Sequence, residues 1–200
     1  MADFDPIANW YNLLKKMVFN NQIEEATRYF LGFIPSYSKI LIIGGGTGHI
    51  LSCFNSTHQI KYVELSRAML NKAKKVNSKA SIEFINSDVL KWESDEKFDF
   101  ILTPFILDCF NEASINSLMT KLKNNLTEKA SWIHTDFYPK NVLQRYLVRA
   151  MYFFFRITAK LKVTALADFD YLFQKHKFIC TRNALFFHSM IESKIYRQIE

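Results

Sequence analysis

The stretch that decides the fold is residues 39–50, which read KILIIGGGTGHI. Four consecutive aliphatic residues, Ile40 to Ile43, are typical of a strand that is buried on both faces, as in a parallel sheet. The glycines that follow allow a sharp turn and leave room for a ligand close to the backbone. We expect a helix from about His49, whose first N–H groups would face that ligand.

An acidic residue follows at the spacing of a nucleoside site. Glu64 lies twenty residues after Gly44 and ends a second apolar run at residues 60–63. A carboxylate at the tip of the second parallel strand can accept hydrogen bonds from both hydroxyls of a ribose. The segment therefore predicts a nucleoside cofactor, and a tight turn without a ligand is the alternative. The predicted contacts are Gly44, Gly45, Gly46, Gly48 and Glu64.

The spacing within the loop distinguishes two classes of cofactor. A dinucleotide fingerprint, G-x-G-x-x-G, needs a small residue at its last position, where the helix packs on the strand. Counted from Gly44, that position is His49, which is bulky. The layout G-x-G-x-G with an acid at the second strand tip resembles class I S-adenosylmethionine-dependent methyltransferases, and the resemblance covers residues 40–137. It implies S-adenosylmethionine as the cofactor.

The order of elements predicts an α/β fold. Apolar segments near residues 60–63, 82–85, 98–103 and 130–137 alternate with helical patterns, which indicates parallel strands joined by crossovers. A terminal hairpin is predicted at 178–196. Together with the resemblance, this predicts a Rossmann-like, doubly wound, mostly parallel seven-stranded sheet with helices on both faces and a reversed C-terminal strand. The single domain divides into a helical lead-in (1–38), a cofactor-binding core (39–137), a helical insertion or lid (138–176) and a C-terminal hairpin (177–200).

The resemblance implies further cofactor contacts at the strand ends. Asp88 stands where the family holds the adenine amino group, and a turn-forming aspartate is the alternative reading. Leu65, Val89 and Thr103, at the exits of the second, third and fourth strands, complete the predicted set. At Ile42 the sequence departs from the family, which usually has an acid there that contacts the methionine part of the cofactor.

On the acceptor side, residues 4–14, FDPIANWYNLL, resemble the opening of small-molecule methyltransferases of the quinone-biosynthesis type. In that family the segment folds over the cleft, so Tyr11 would touch the ligand; alternatively it anchors the helix to the core. Asp108 and Asp136 are candidate substrate contacts and candidate bases. His134 is a candidate base only, although a mid-strand histidine is usually packed in the core. Alignment in a dry pocket can supply roughly 7–11 kcal/mol, against about 3–5 kcal/mol from a base, so no base is assigned.

Residues 141–162 predict a helix with basic residues on one face and apolar residues, including Phe154, on the other. Three interpretations stay open: a helix packed on the sheet, a lid over an apolar substrate, or a surface that rests on anionic lipid. Between the last two, the aromatic bulk favours the lid, with Phe154 facing the substrate. The basic positions are Arg145, Arg149, Arg156 and Lys160.

Composition narrows the function classes. The chain has 200 residues, 49% of them hydrophobic and 22% charged, which is typical of one globular domain. A net charge of +7 is compatible with an anionic surface or nucleic acid. Three cysteines, far apart and in apolar surroundings, predict reduced core thiols in a cytoplasmic protein, and neither a metal site nor a disulfide. These residues are Cys53, Cys109 and Cys180.

The Asn-Pro-Pro-aromatic and Pro-Cys signatures of nucleic-acid base methylation are missing from the fourth-strand exit. The predicted function is therefore methyl transfer from S-adenosylmethionine to a small aromatic or lipid-like acceptor. An RNA or protein methyltransferase, an NAD-type oxidoreductase on the same fold, and an inactive nucleoside-binding scaffold are the alternatives.

Overall fold

The computed structural model describes Asp5 and residues 18–199, which are organised around a sheet of seven strands. Across the sheet the order is β3-β2-β1-β4-β5-β7-β6. The first five strands along the chain are parallel, and β7 runs antiparallel to both of its neighbours. The predicted sheet with a reversed last strand is confirmed. The strands are β1 (Lys39–Ile43), β2 (Gln59–Glu64), β3 (Ser81–Asn86), β4 (Phe98–Pro104), β5 (Leu126–Phe137), β6 (Phe178–Phe186) and β7 (Ile191–Gln198).

Within residues 18–199, five α-helices connect or flank these strands. In four of them the residue before the helix accepts a hydrogen bond from the backbone N–H three positions later, which satisfies a donor that has no partner within the helix. The capping residues are Ser66, Asn111, Asn141 and Asp168. The helices are α1 (Gln22–Arg28), α2 (Arg67–Ala73), α3 (Glu112–Lys123), α4 (Val142–Thr158) and α5 (Phe169–Lys175).

The sheet has a hydrophobic layer on each face, and β1 contributes to both. Leu41 and Ile43 pack in the layer that includes residues of α3 and α5. Ile40 and Ile42 pack in the opposite layer, which includes residues of α2. Successive side chains of a strand point to opposite faces, so a central strand covered on both sides needs an unbroken aliphatic run.

The predicted helix from His49 is wrong. The loop is followed by a single 3₁₀ turn, Leu51–Cys53, and then by an extended approach to β2. The Asn55 side chain accepts hydrogen bonds from both the N–H and the hydroxyl of Thr57, at 2.9 and 2.6 Å. This local turn competes with helix formation, because it occupies the groups that would otherwise extend the helix.

Other element ends also differ from the sequence prediction. β5 begins at Leu126 and not at residue 130, and α4 ends at Thr158 and not at residue 162. Cys53 and Cys180 are exposed, so the expectation that they are core thiols is wrong for both. No helix within the described part of the chain is long and apolar enough to cross a membrane.

The contact between the loop and α2 leads to a stability prediction. At Gly48 the backbone φ is +78°, and an added Cβ would lie 2.8 Å from the Ala73 Cα. We expect Gly48→Ala to lower the free energy of unfolding by at least about 1–2 kcal/mol, the cost of a left-handed backbone for alanine. Urea unfolding monitored by circular dichroism measures this loss.

Gly32→Ala is the matched control, because a Cβ there would have no heavy atom of the described residues within 4 Å. Its φ is not positive, so alanine should be neutral or stabilise the protein by about 0.4–1 kcal/mol through the unfolded chain. Equal unfolding midpoints for the two variants would contradict the role of Gly48.

Candidate functional site

Two glycines of the loop are required by the packing of the protein itself. A Cβ on Gly44, whose φ is +64°, would lie 2.5 Å from Ile106 Cγ1. A Cβ on Gly45 would lie 2.4 Å from the Tyr62 hydroxyl oxygen. That hydroxyl also donates a hydrogen bond of 3.0 Å to the carbonyl oxygen of Gly46. Tyr62 therefore supports the loop from β2, a role that the sequence analysis did not recognise.

Gly46 has space around it within the described part of the chain. Its φ is +62°, and among the described residues an added Cβ would have only Met69 Sδ nearby, at 3.7 Å. Its N–H donates to Glu64 Oε2 at 3.0 Å, and the N–H of Ser66 donates to Glu64 Oε1 at 2.8 Å. The structure thus brings the predicted carboxylate directly against the glycine loop.

The Glu64 side chain is 7% exposed and forms no ion pair with the described residues. Burial raises its pKa, and the backbone N–H groups of Ser66 and Gly46 oppose that rise. A buried carboxylate without a cation is stabilised by additional hydrogen-bond donors. The two hydroxyls of a ribose are donors of this kind.

Asp5 lies beside this carboxylate. Its Oδ1 accepts a short hydrogen bond from the Ser66 hydroxyl and a second from the Ala68 N–H, at 3.1 Å. Its charge also contributes to the raised pKa of Glu64. Tyr11 lies outside the described residues, so its contact with a ligand stays a prediction.

Helix α1 closes the other side of the loop. Thr27 Oγ1 is 2.8 Å from His49 Nε2, and Arg28 donates to the His49 carbonyl oxygen at 2.8 Å. His49, the residue that breaks the dinucleotide pattern, therefore holds α1 against the loop through its contacts with Thr27 and Arg28. The sequence predicted a helical lead-in over residues 1–38, but nothing in it indicated that a helix of this segment lies over the loop.

We call the space between this loop and α1 the loop cleft, and it is narrow. Ile23 and Thr27 from α1, Met69 from α2 and Ile106 after β4 line it. Its free volume is about 60 Å³, below the roughly 300–1,000 Å³ that is usual for small-molecule pockets. The enclosed part of the loop cleft is therefore smaller than a nucleoside.

Two predicted residues lie at the carboxyl ends of the neighbouring strands. Asp88 is half-buried after β3, and its Oδ1 accepts a hydrogen bond of 2.9 Å from the Leu90 N–H. One carboxylate oxygen of Asp88 thus stabilises a local turn, which is the role that the sequence left as the alternative to adenine binding. Leu65, half-buried after β2, accepts a hydrogen bond through its carbonyl from Asn86.

The side chains of Val89 and Thr103 do not face the loop cleft. Val89 is buried in the core beneath the sheet edge. The Thr103 hydroxyl is buried, accepts a hydrogen bond of 2.9 Å from the Trp132 indole N–H and lies 3.1 Å from His134 Nδ1. Cofactor contacts through these two side chains do not fit this placement.

His134 is a core residue. Burial lowers its pKa to about 3, and its Nε2 has no hydrogen-bond partner among the described residues. Its ring packs against Phe169, with the ring centroids 4.9 Å apart. This neutral, enclosed imidazole is unsuitable as a base for a bound substrate.

A larger cavity, which we call the apolar cavity, adjoins the loop cleft. Its free volume is about 300 Å³, and it shares Ile23, Phe105 and Cys109 with the cleft. Helix α4 forms one wall of it, so the predicted lid helix lies against a pocket. The α4 residues that line the cavity are Leu147, Ala150, Met151, Phe154 and Phe155.

Asp108 is the polar group of this cavity, and Asp136 lies behind it. The Asp108 N–H donates to Asp136 Oδ2 at 3.3 Å, and the Tyr152 hydroxyl from α4 donates to the Asp108 carbonyl oxygen at 3.1 Å. Burial raises the pKa of Asp108 to about 6. Burial and the charge of Asp108 raise the pKa of Asp136 well above its ordinary value. The pair therefore retains a proton near neutral pH.

Comparison with known proteins agrees with this geometry. Residues 40–129 match the family model described as a methyltransferase domain. No curated protein sequence matches the chain.

Solved structures with the same fold share little sequence with the chain. A methyltransferase in complex with the Trm112 methyltransferase activator of Haloferax volcanii is 10% identical, with a TM-score of 0.73 over 100% of this chain and 99% of that one. DhpI in complex with SAH is 12% identical, with a TM-score of 0.72 over 98% and 93%. Magnesium protoporphyrin IX methyltransferase of Synechocystis with bound SAH is 14% identical, with a TM-score of 0.60 over 87% and 80%.

At sequence identities of 10–14% the structural likeness is evidence of the fold alone, and the similarity in sequence rests on the family model. Residues 40–129 match the methyltransferase domain family, and the seven-stranded sheet that contains them has the fold of solved S-adenosylmethionine-dependent methyltransferases.

Proposed function

We propose that the protein transfers a methyl group from S-adenosylmethionine to a small aromatic or lipid-like acceptor held in the apolar cavity. The observation that carries this proposal is the position of the cavity, which shares Ile23, Phe105 and Cys109 with the loop cleft. A donor in the cleft and an acceptor in the cavity would meet at these three residues. The Synechocystis neighbour, named for a porphyrin substrate, supports an acceptor of this class.

The residues of the loop cleft suit a sulfonium nucleoside. We assign the ribose hydroxyls to Glu64, which already uses both oxygens as hydrogen-bond acceptors. The open side of Gly46 would face the methionine part, and Asp88 would hold the adenine amino group with its remaining carboxylate oxygen. Ile42 is fully buried, so the acid that usually contacts the methionine part has no equivalent there.

Positioning is the main contribution that this chain makes to the reaction. The bound sulfonium supplies an electrophilic methyl group, so the protein must align the acceptor and exclude water. Apolar side chains of α4 and Phe105 form such a dry wall. Holding two reactants in line contributes roughly 7–11 kcal/mol, which exceeds what a general base adds.

The Asp108–Asp136 pair would take up a proton where the acceptor must lose one. A carboxyl with a pKa of about 6 exchanges protons readily near neutral pH. Asp108 lines the cavity, so its carboxylate is the group that would receive the proton from an acceptor hydroxyl or amine.

The cofactor assignment predicts the behaviour of Glu64→Ala. Removing a carboxylate that binds ribose should cost about 1.5–3 kcal/mol, or roughly 10- to 150-fold in the Kd for S-adenosylmethionine. Isothermal calorimetry measures this change. Glu128→Ala, at an exposed site in β5, is the matched control and should leave the Kd unchanged.

A folded Glu64→Ala variant with a Kd within about threefold of wild type would place the ribose elsewhere. Equal thermal stabilisation of the wild type by NAD would contradict the cofactor assignment and favour the oxidoreductase alternative.

The acceptor site is tested by filling the apolar cavity. Leu147→Trp adds bulk to its α4 wall and would displace the acceptor, so turnover should fall on the order of 100-fold while the cofactor Kd is kept. Leu143→Trp, one turn earlier and 79% exposed, is the control. Turnover is measured as the gain of labelled methyl by small molecules of a cell extract. Equal turnover of the two variants would exclude this cavity as the acceptor site.

The raised pKa of Asp108 predicts how stability depends on pH. The folded protein binds this proton up to about pH 6, whereas the unfolded chain loses it near its ordinary value of 3.8. Burial of the charge therefore costs nothing at low pH and on the order of 2–3 kcal/mol above pH 6. Asp108→Asn removes the cost, so it should be more stable than wild type at pH 7.5 and equal to it near pH 4.

Urea unfolding of both proteins across this pH range measures the difference. Asp95→Asn, at an exposed position, is the control and should show no such trend. A difference for Asp108→Asn that does not change with pH would mean that the carboxyl titrates normally.

A further inference from the structure

Helix α4 has an exposed apolar side that neither the core nor the apolar cavity uses. Its core contacts are Gln144, Val148 and Tyr152, and its cavity contacts lie on the next side around the helix. The remaining side carries five large apolar residues that are 61–79% exposed. We call this set the apolar stripe: Val142, Leu143, Tyr146, Phe153 and Ile157. A contiguous exposed patch of this kind marks an interaction surface.

The stripe is continuous with the mouth of the apolar cavity. Ala150 and Phe154 line the cavity and are themselves exposed. On a helix, residue 150 lies beside residues 146 and 153, and residue 154 lies beside 157. A molecule that rests on the stripe is therefore adjacent to the opening through which an acceptor would pass.

The charged residues beside the apolar stripe indicate the chemistry of its binding partner. Arg145, Arg149 and Arg156 lie along one edge, and none forms an ion pair with the described residues. Residues 137–167 contain six Lys or Arg and no Asp or Glu, so this segment carries +6 of the net +7 of the chain. An apolar stripe flanked by cations on one helix of 17 residues is complementary to an anionic lipid surface.

We propose that α4 docks on an anionic bilayer, with the apolar stripe in the interface and the three arginines at the lipid headgroups. The apolar cavity then opens toward the bilayer, so an apolar acceptor enters without crossing water. That last step rests on the proposed function, whereas the docking itself does not. A second copy of the chain is a less suitable partner for the stripe. A twofold contact would bring together the same arginines from both copies, which form no ion pair with the described residues, and their like charges would repel.

The lid and membrane interpretations of this helix are not exclusive. The lid uses the side that carries Leu147 and Met151, whereas docking uses the side that carries Phe153 and Ile157. One helix can therefore close the cavity and face the lipid at the same time.

Vesicle sedimentation tests the docking. The full-length protein is mixed with vesicles of phosphatidylcholine, with and without phosphatidylglycerol, at low and at high salt. We expect binding to the anionic vesicles alone, and weaker binding at high salt, where screening is stronger. Replacing Arg145, Arg149 and Arg156 by Gln should lower the partition coefficient by roughly 100-fold, at about fivefold for each residue.

The matched control replaces Lys75, Lys79 and Lys91 by Gln. These exposed lysines lie on the β3 side of the sheet. Their replacement removes the same amount of charge as the arginine variant, but vesicle binding should be kept. Phe153→Ser with Ile157→Ser should also weaken binding, because apolar insertion is lost. Both changes are at exposed positions, and a urea-unfolding midpoint equal to that of the wild type shows that each variant is folded.

Three results would overturn the proposal. The wild type does not bind anionic vesicles; or the arginine variant binds as well as the lysine control; or the wild type is a dimer in solution that Phe153→Ser with Ile157→Ser converts to a monomer, which assigns the stripe to a second copy. If the wild-type protein binds anionic vesicles but transfers no methyl group to any small molecule, that result would count against the proposed function alone.

Discussion

The hydrogen bond between the Gly46 N–H and the Glu64 carboxylate is the constraint on which the site depends. It joins the tip of β2 to the loop after β1, and the Tyr62 hydroxyl holds the same loop through the Gly46 carbonyl. Because Gly45 packs directly on the Tyr62 ring, the loop has no room to relax inward. The fold therefore fixes the hydrogen-bond acceptors of this edge in place, and among the described residues of the loop the open side of Gly46 is left for a ligand.

Negative and positive groups are separated in this molecule. Glu64, Asp108 and Asp136 lie buried or half-buried at the carboxyl edge of the parallel strands, where donor and acceptor would meet. Most of the excess positive charge lies outside that edge, in the segment that contains α4. Phosphates of a nucleic acid would be attracted to the helix and repelled from the site itself.

The local pattern of the sequence was enough to predict the centre of the fold. An unbroken aliphatic run requires cover on both faces, glycines at alternate positions require a tight turn, and an acid at the next strand tip requires a donor. These requirements involve neighbouring residues only, so residues 40–48 and Glu64 could be interpreted without knowing their partners. The alternation of strands and helices, together with the family resemblance, then gave the order of the sheet and its reversed last strand.

Only the tertiary structure determined which residues contact the side chains at the strand ends. Thr103 follows the strand pattern of the sequence, but its hydroxyl is turned into the core by Trp132, which lies in the neighbouring strand β5. Asp108 and Asp136 are 28 residues apart, and only the pairing of β4 with β5 brings them into contact. The direction of a side chain and its neighbours depend on strand register and on segments distant in sequence, so local spacing determined the elements and tertiary packing determined the site.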